Sequence, residues 1–117
     1  MQDDCRTKVW LKSRYLLLAI YKITEMFPGN DSSKLKSQIR KSCIAIPANI
    51  SRGFSGYKTK DLRHFVGISL NSTSELENQL QYAHDRHFLD NSEYKKLTKE
   101  TDDIKDMLTA ILSTGNA

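Results

Sequence analysis

Residues 44–54, IAIPANISRGF, place a proline inside a segment whose apolar residues otherwise repeat at helical spacing. The apolar positions of the segment are Leu35, Ile39, Cys43, Ile46 and Ile50. Pro47 removes one backbone hydrogen bond and crowds the carbonyl of Cys43, which costs a helix about 3 kcal/mol. Because packing on neighbouring helices can offset that cost, the stretch predicts a bent helix inside a bundle. We expect Asn49 to bond a freed carbonyl or one on an adjacent helix, and Gly53 to end the helix.

Turn residues divide the rest of the chain into four helical segments. The predicted loops are residues 28–33, 55–59 and 89–92, and the predicted helices are residues 4–27, 33–54, 60–88 and 92–113. The candidate N-caps are Ser32 or Ser33, Thr59, and Asp90 with Glu93 as a capping box. Connections this short force neighbouring helices to be antiparallel. The sequence therefore predicts one all-α domain over residues 1–117, an up-down-up-down antiparallel four-helix bundle.

The first helix is apolar on more sides than one bundle core requires. Beside its main stripe it carries Leu11, Tyr15 and Leu18 on a further face, and Ile44 of the second helix also projects away from the seam. A helix that is apolar on several sides needs more than one neighbouring surface. We therefore expect a homo-oligomer; the alternative is that the first helix is the deeply buried central helix of the bundle.

Composition excludes several classes of protein. The chain has 117 residues, of which 38% are hydrophobic and 27% charged, as in an ordinary globular domain. Its two cysteines cannot form a disulfide framework and lack the spaced partners of a zinc site, so a cytoplasmic location is expected. No apolar run approaches the roughly 20 residues of a membrane span, and no signal peptide is recognisable.

Positive charge is concentrated in the first part of the chain. Residues 1–63 contain 13 Lys or Arg and 5 acids, whereas residues 64–117 contain 5 and 9, for a net charge of +4. This asymmetry predicts a basic surface for nucleic acid, a solvated helix face, or charge pairing between the two halves of the chain or between subunits. The acids available for pairing with a neighbouring subunit include Asp102, Asp103 and Asp106. The candidate nucleic-acid-binding residues are Lys8, Lys12, Arg14, Lys34, Lys41, Arg52, Lys58, Lys60 and Arg63. No base-reading motif accompanies them, so we expect recognition of shape or phosphate.

Several motifs together resemble a known family. They are Phe27-Pro28, Leu35, Gln38-Ile39-Arg40, Ile46-Pro47-Ala48-Asn49-Ile50, Gly53-Phe54, Phe65 and residues 72–80, STSELENQL. This set, over nearly the whole chain, resembles the four-helix-bundle family named for ribosomal RNA intervening sequences. That family usually has glutamate where this chain has Arg52, so an acidic position has become basic.

The resemblance implies a fold similar to that of the accessory variability determinant of diversity-generating retroelements. That protein is a basic pentamer that binds a reverse transcriptase and nucleic acid. By this resemblance we expect a homopentamer that binds RNA or DNA and docks a reverse transcriptase. The alternative is a structural protein-interaction module without significant nucleic-acid affinity.

Catalytic and metal-binding patterns are weak in this sequence. His84 and His87 are three residues apart, and His64 offers a third imidazole on another helix face, which does not make a closed ligand set. Glu77 lies near an apolar seam and is expected to pair with a basic side chain such as Arg40. Without a phosphate-binding loop or an acyl-transfer motif, we expect no enzyme activity, cofactor or metal. A small metal-dependent enzyme using the histidines is the remaining alternative.

Overall fold

The computed structural model of the chain describes residues 2–56 and 58–114, and in that part it contains four long helices. They are α1 (Gln2–Thr24), α2 (Ser33–Ser55), α3 (Thr59–Asp85) and α4 (Asn91–Thr114), with a short 3-10 turn at Asn30–Ser32 before α2. Among the described residues each helix packs on the next one in the chain, and α1 also packs on α4. The bundle measures 47 × 23 × 19 Å. The predicted antiparallel four-helix bundle is confirmed.

The core lies where the apolar periodicity places it. The fully buried large side chains include Ile20 of α1, Ile39, Ile46 and Ile50 of α2, Leu76 and Leu80 of α3, and Ile104 and Leu108 of α4. Small polar residues on the seams bond backbone carbonyls, as Thr73 does with the oxygen of Ser69 at 2.8 Å. These buried hydroxyls are therefore satisfied without a side-chain partner.

The proline helix is continuous from Ser33 to Ser55. The Asn49 side-chain amide donates to the carbonyl oxygen of Ala45 at 2.9 Å. The hydroxyl of Ser69 in α3 donates to the oxygen of Ile46 at 2.8 Å. Pro47 removes the helical partner of the Cys43 carbonyl, whereas Asn49 bonds the Ala45 carbonyl of its own helix. The expectation that Asn49 bonds a freed carbonyl or one on an adjacent helix was therefore wrong.

Gly53 does not end α2, contrary to the prediction. The helix continues for two residues and is followed by Gly56, which has an extended backbone. A Cβ atom at Gly53 would lie 3.1 Å from Val66 Cγ2 and 3.4 Å from Phe65 Cβ, both in α3. Gly53 is therefore the point where two helices approach closely, which a single helix pattern does not reveal.

The end of α3 also differs from the prediction, because the helix stops at Asp85 and not at residue 88. His87 has a left-handed backbone with φ of 65°. The amide of Phe88 donates to the oxygen of Ala83 at 2.9 Å, and that of His87 to the oxygen of His84 at 3.0 Å. This pair of bonds is the Schellman motif, here with histidine at the position that glycine usually occupies.

The remaining helix ends are mixed outcomes. α1 stops at Thr24, three residues before its predicted end, because the amides of Met26 and Phe27 bond only three residues back, ahead of Pro28. Ser32 occupies the N-cap position of α2, as one of the two predicted serines, but its side chain makes no cap bond. The Thr59 cap was wrong, because Thr59 is the first residue of α3 and Lys58 precedes it. The Asp90 and Glu93 capping box is confirmed. Asp90 Oδ1 accepts from the amide of Glu93 at 2.7 Å, and Glu93 Oε1 accepts from that of Asp90 at 3.1 Å.

Candidate nucleic-acid interface

Six cations lie at one end of the bundle, where α1 begins, α2 ends and α3 begins. We call this surface the basic end; its residues are Arg6, Lys8, Arg52, Lys58, Lys60 and Arg63. The antiparallel order brings these segments together, as shown by the guanidinium of Arg6, which lies 5.0 Å from the ring centre of Phe54. Arg63 shares a shallow surface depression with Thr109 and Leu112 near the end of α4. Five of the nine candidate residues therefore meet at one place.

Cations outnumber acids at the basic end. None of its six cations forms an ion pair with a side chain in the described part of the chain, and all except Arg6 are exposed. Asp61 is the one acid in the described segments 5–8, 52–56 and 58–63; Asp3 and Asp4 also belong to the first turn of α1, and their side chains are outside the described part of the chain. In α4 no charged residue occurs between positions 107 and 113. A cluster of cations that outnumber the nearby acids produces a positive potential.

The other four candidates lie outside this cluster. Lys34 and Lys41 are exposed on the outward face of α2, on the same helical stripe as Arg52. From Lys34 to Arg52 this stripe runs about 27 Å at the helical rise. Lys12 lies 3.3 Å from Glu100 Oε2 and 3.7 Å from Asp103 Oδ2, so its charge is offset within the chain.

Arg14, the last of the nine, is exposed and lies over Trp10, with its guanidinium carbon 5.5 Å from the ring centre.

Trp10 and Phe54, together with Arg6 and Ser51, line a groove of about 590 Å³ between the start of α1 and the end of α2. Thr7 and Ser55 complete its lining. Trp10 was not among the candidate residues. Arginines stand four residues before and after it in the sequence, a spacing that puts all three side chains on one helix face, and this is the signal that could have identified it.

A cluster of polar contacts centred on Arg40 lies toward the opposite end of the α1 and α2 pair. Arg40 Nε donates to the hydroxyl of Thr24 at 2.9 Å, and its guanidinium lies 4.3 Å from the ring centre of Tyr21. Its Nη2 atom is 3.3 Å from Glu25 Oε2, and Lys36 Nζ is 3.4 Å from the other oxygen of that carboxylate. The hydrogen bond from Arg40 holds the pKa of Glu25 below its usual range. Arg40 is therefore a structural residue joining two helices.

The expected pair between Glu77 and Arg40 was wrong. Glu77 Oε1 instead accepts from Lys105 Nζ at 2.8 Å, which joins α3 to α4. This hydrogen bond raises the pKa of Lys105. The choice of partner depends on which helix packs beside Glu77, and the spacing within α3 does not contain that information.

Apolar side chains remain exposed on the outer side of α1 and the adjacent edge of α2. We call this surface the apolar face. Its members and their exposed fractions are Tyr15 at 66%, Leu18 at 63%, Ile44 at 44% and Leu11 at 39%. The alternative in which α1 is a buried central helix is therefore wrong, because this face of α1 meets solvent in the single chain.

The histidines do not assemble into one site. His84 stacks on Tyr94 with ring centres 4.3 Å apart, and its Nε2 atom lies 2.6 Å from Asn91 Oδ1. His84 and His87 line one surface depression between the end of α3 and the start of α4, whereas His64 is near the start of α3. Across residues 5–56 and 58–113, no group of three or more His, Cys, Asp or Glu side chains could hold a metal ion.

The cysteines differ in their surroundings. Cys43 is buried in the core, and burial raises the pKa of its thiol to about 12. A thiol with this pKa is protonated at neutral pH and is a poor nucleophile. Cys5 is exposed near the start of α1. In the part of the chain that the structure describes, no helix combines the length and apolar character needed to cross a membrane.

Comparisons with known proteins bear on the fold and the family. A family model described as 23S rRNA-intervening sequence protein matches residues 6–110 of the chain. A crystal structure of a protein of unknown function from the S23 ribosomal protein family of Bacteroides thetaiotaomicron VPI-5482 superposes with a TM-score of 0.84. The two chains share 18% sequence identity, and the match covers 93% of this chain and 98% of the other, which supports the same fold. Comparison with curated proteins finds no match.

Proposed function

The chain belongs to the 23S rRNA-intervening sequence protein family, and we propose that it is a non-enzymatic, homo-oligomeric protein that binds RNA or DNA through its basic end. The observation that carries this proposal is the set of six cations without acidic partners among the described side chains. Such a surface attracts the phosphate backbone and releases its counterions, independently of base sequence. The stripe of Lys34, Lys41 and Arg52 on α2 extends the same surface.

Self-association through the apolar face is the second part of the proposal. Tyr15 and Leu18 are more than half exposed on α1, and Ile44 is exposed on α2. Groups of exposed apolar residues mark interaction surfaces. A second copy of the chain is the occupant that the family resemblance suggests, with five copies as the expected number. An oligomer also multiplies the number of basic ends that one nucleic acid can contact, which raises avidity.

A reverse transcriptase is the protein partner that we propose by resemblance to the accessory variability determinant. The alternative function is a structural interaction module that uses the apolar face alone. The pairing of Lys12 with Glu100 and Asp103 favours this alternative, because the charge of this α1 residue is offset within the protein and is not free to bind phosphate. Copurification of a reverse transcriptase encoded beside this gene, lost on substitution at the apolar face, would support the proposed reverse transcriptase partner.

Binding across a salt series tests the nucleic-acid proposal. Fluorescence anisotropy is measured with structured RNA, single-stranded DNA and duplex DNA, for the wild type, for Arg52→Glu/Lys60→Glu, and for Lys95→Glu/Lys96→Glu. The control pair changes the net charge equally but lies at exposed positions at the start of α4, away from the basic end. We expect the first variant to lose at least tenfold in affinity and to lower the salt slope by about 2, and the control to change little.

Two results would contradict this proposal. One is the absence of binding at low salt by the assembled wild-type protein, which would leave the interaction module as the better account. The other is an equal loss of affinity in both charge-reversal variants, since that would show attraction by net charge without a defined basic end.

A further inference from the structure

The groove between the start of α1 and the end of α2 combines features that the phosphate contacts do not use. It is lined by two aromatic side chains, Trp10 and Phe54, and by Arg6. Both aromatic residues pack on the core from one side and are half-buried. The groove, of about 590 Å³, is largely open to solvent, so it can receive part of a ligand that lies across the surface.

Each aromatic ring of the groove has an arginine beside it. Arg6 lies 5.0 Å from the ring centre of Phe54, and Arg14 lies 5.5 Å from that of Trp10. Nucleobases stack on aromatic rings and on guanidinium planes, whatever the base, because every base has a π-face. The groove therefore offers stacking surfaces made by residues from two helices.

The charge around the groove suits a strand whose phosphates pass close by. Among the described side chains that line it none is acidic, and Arg6 and Arg14 lie beside its two rings. The side chains of residues 1–4 are outside the described part of the chain. Aromatic residues interleaved with cations distinguish sites for single-stranded nucleic acid from purely electrostatic surfaces.

We propose that this groove is a subsite for an unpaired base of single-stranded nucleic acid, stacked against Trp10 and Arg6 while the basic end holds the adjacent phosphates. This inference rests on the proposed function and deepens it, because it selects single strands or unpaired loops over duplexes. A duplex keeps its bases stacked inside and cannot supply one to the groove without paying for unstacking.

Trp10 provides a direct measurement, because it is the only tryptophan of the chain. The probes are a short oligodeoxythymidylate and an oligomer of equal length in which abasic spacers replace the bases. Anisotropy of labelled probes gives affinity, and Trp10 emission with unlabelled probes reports stacking in the groove. We expect saturable quenching by the base-bearing strand alone, and an affinity on the order of tenfold higher for it than for the abasic strand.

Two leucine variants separate the groove from the rest of the surface. Ser51→Leu fills the groove without changing the charge, whereas Ser37→Leu makes the same change at another exposed serine of α2, outside this groove. An exposed serine replaced by leucine suits a helix, so both variants are expected to fold. We expect Ser51→Leu to lose the quenching and the preference for bases, and Ser37→Leu to keep both.

The outcomes distinguish this inference from the proposed function. If both probes bind equally, without quenching, then the basic end binds phosphates as proposed and the base subsite is refuted. Quenching that persists in Ser51→Leu, or that disappears equally in Ser37→Leu, also refutes the subsite. If neither probe binds to the assembled wild type at low salt, both the inference and the proposed function fail.

Discussion

At the scale of single residues, the backbone conformation of His87 at the end of α3 is unfavourable. Its left-handed backbone closes a Schellman motif with Phe88 and Ala83. An L-residue with a β-carbon is disfavoured there by about 1 kcal/mol relative to glycine. The His87 side chain makes no described hydrogen bond or ion pair that would compensate.

We therefore expect His87→Gly to stabilise the protein. The free energy of unfolding should rise by about 1 kcal/mol, measured by urea denaturation followed by circular dichroism. His64→Gly is the matched control, because His64 is also exposed but lies inside α3. It should lower the stability by about 0.5–1 kcal/mol. Destabilisation by His87→Gly would show that the imidazole has a role that its contacts do not reveal.

At the scale of helices, the seam between α2 and α3 depends on one close approach. Gly53 leaves space that Val66 and Phe65 fill from the other helix. Three residues earlier, at Ile50, α2 has a large buried side chain. The motif containing Pro47 and Gly53 therefore describes how α2 packs, and both residues lie in the helix against their own propensity.

A β-carbon at Gly53 is expected to be costly. Gly53→Val should lower the free energy of unfolding by about 2–3 kcal/mol, because its branched side chain overlaps Val66 and Phe65 and forces the helices apart. Gly67→Val is the control, since Gly67 is also helical and an added β-carbon there meets no atom within 4 Å. That substitution should change the stability by less than about 0.5 kcal/mol. Urea titrations of both variants measure the free energy of unfolding. If Gly53→Val lowers it no more than Gly67→Val does, the seam adapts and the close approach at Gly53 is not required.

At the scale of the whole molecule, the two proposed interactions should respond oppositely to salt. The apolar face is flanked by cations such as Arg14 and Lys22, so copies of the chain that associate through it would repel each other electrostatically. Salt would screen this repulsion and leave the burial of apolar surface intact. The proposed nucleic-acid binding at the basic end should have the opposite dependence, because salt competes with phosphate contacts.

Self-association is therefore expected to persist or strengthen with salt and to require Leu18. Sedimentation velocity should show an oligomer for the wild type and a monomer for Leu18→Glu, which puts a carboxylate into the apolar contact. Tyr82→Glu is the control, because Tyr82 is 52% exposed on α3, away from that face. A monomeric wild type at high protein concentration, or equal dissociation by both variants, would contradict the assignment of the apolar face.

The sequence by itself determined the helices, their antiparallel order and the family, because these follow from local patterns. Helical periodicity and short loops act within a few residues, and the Asp90 and Glu93 capping box is a local spacing that the structure confirms. The family motifs containing Pro47 are likewise read along one segment, and the family match agrees with them.

Only the tertiary structure decided which residues of different helices meet. Lys12 reads as a free cation in α1, yet it is paired with Glu100, 88 positions away in the chain. Gly53 reads as a helix end, yet it is a contact point for α3. The groove at Trp10 likewise needs Phe54 from α2 to complete it. Distances between segments far apart in the chain are set by how whole helices pack, and a pattern read along one helix carries no information about its neighbour.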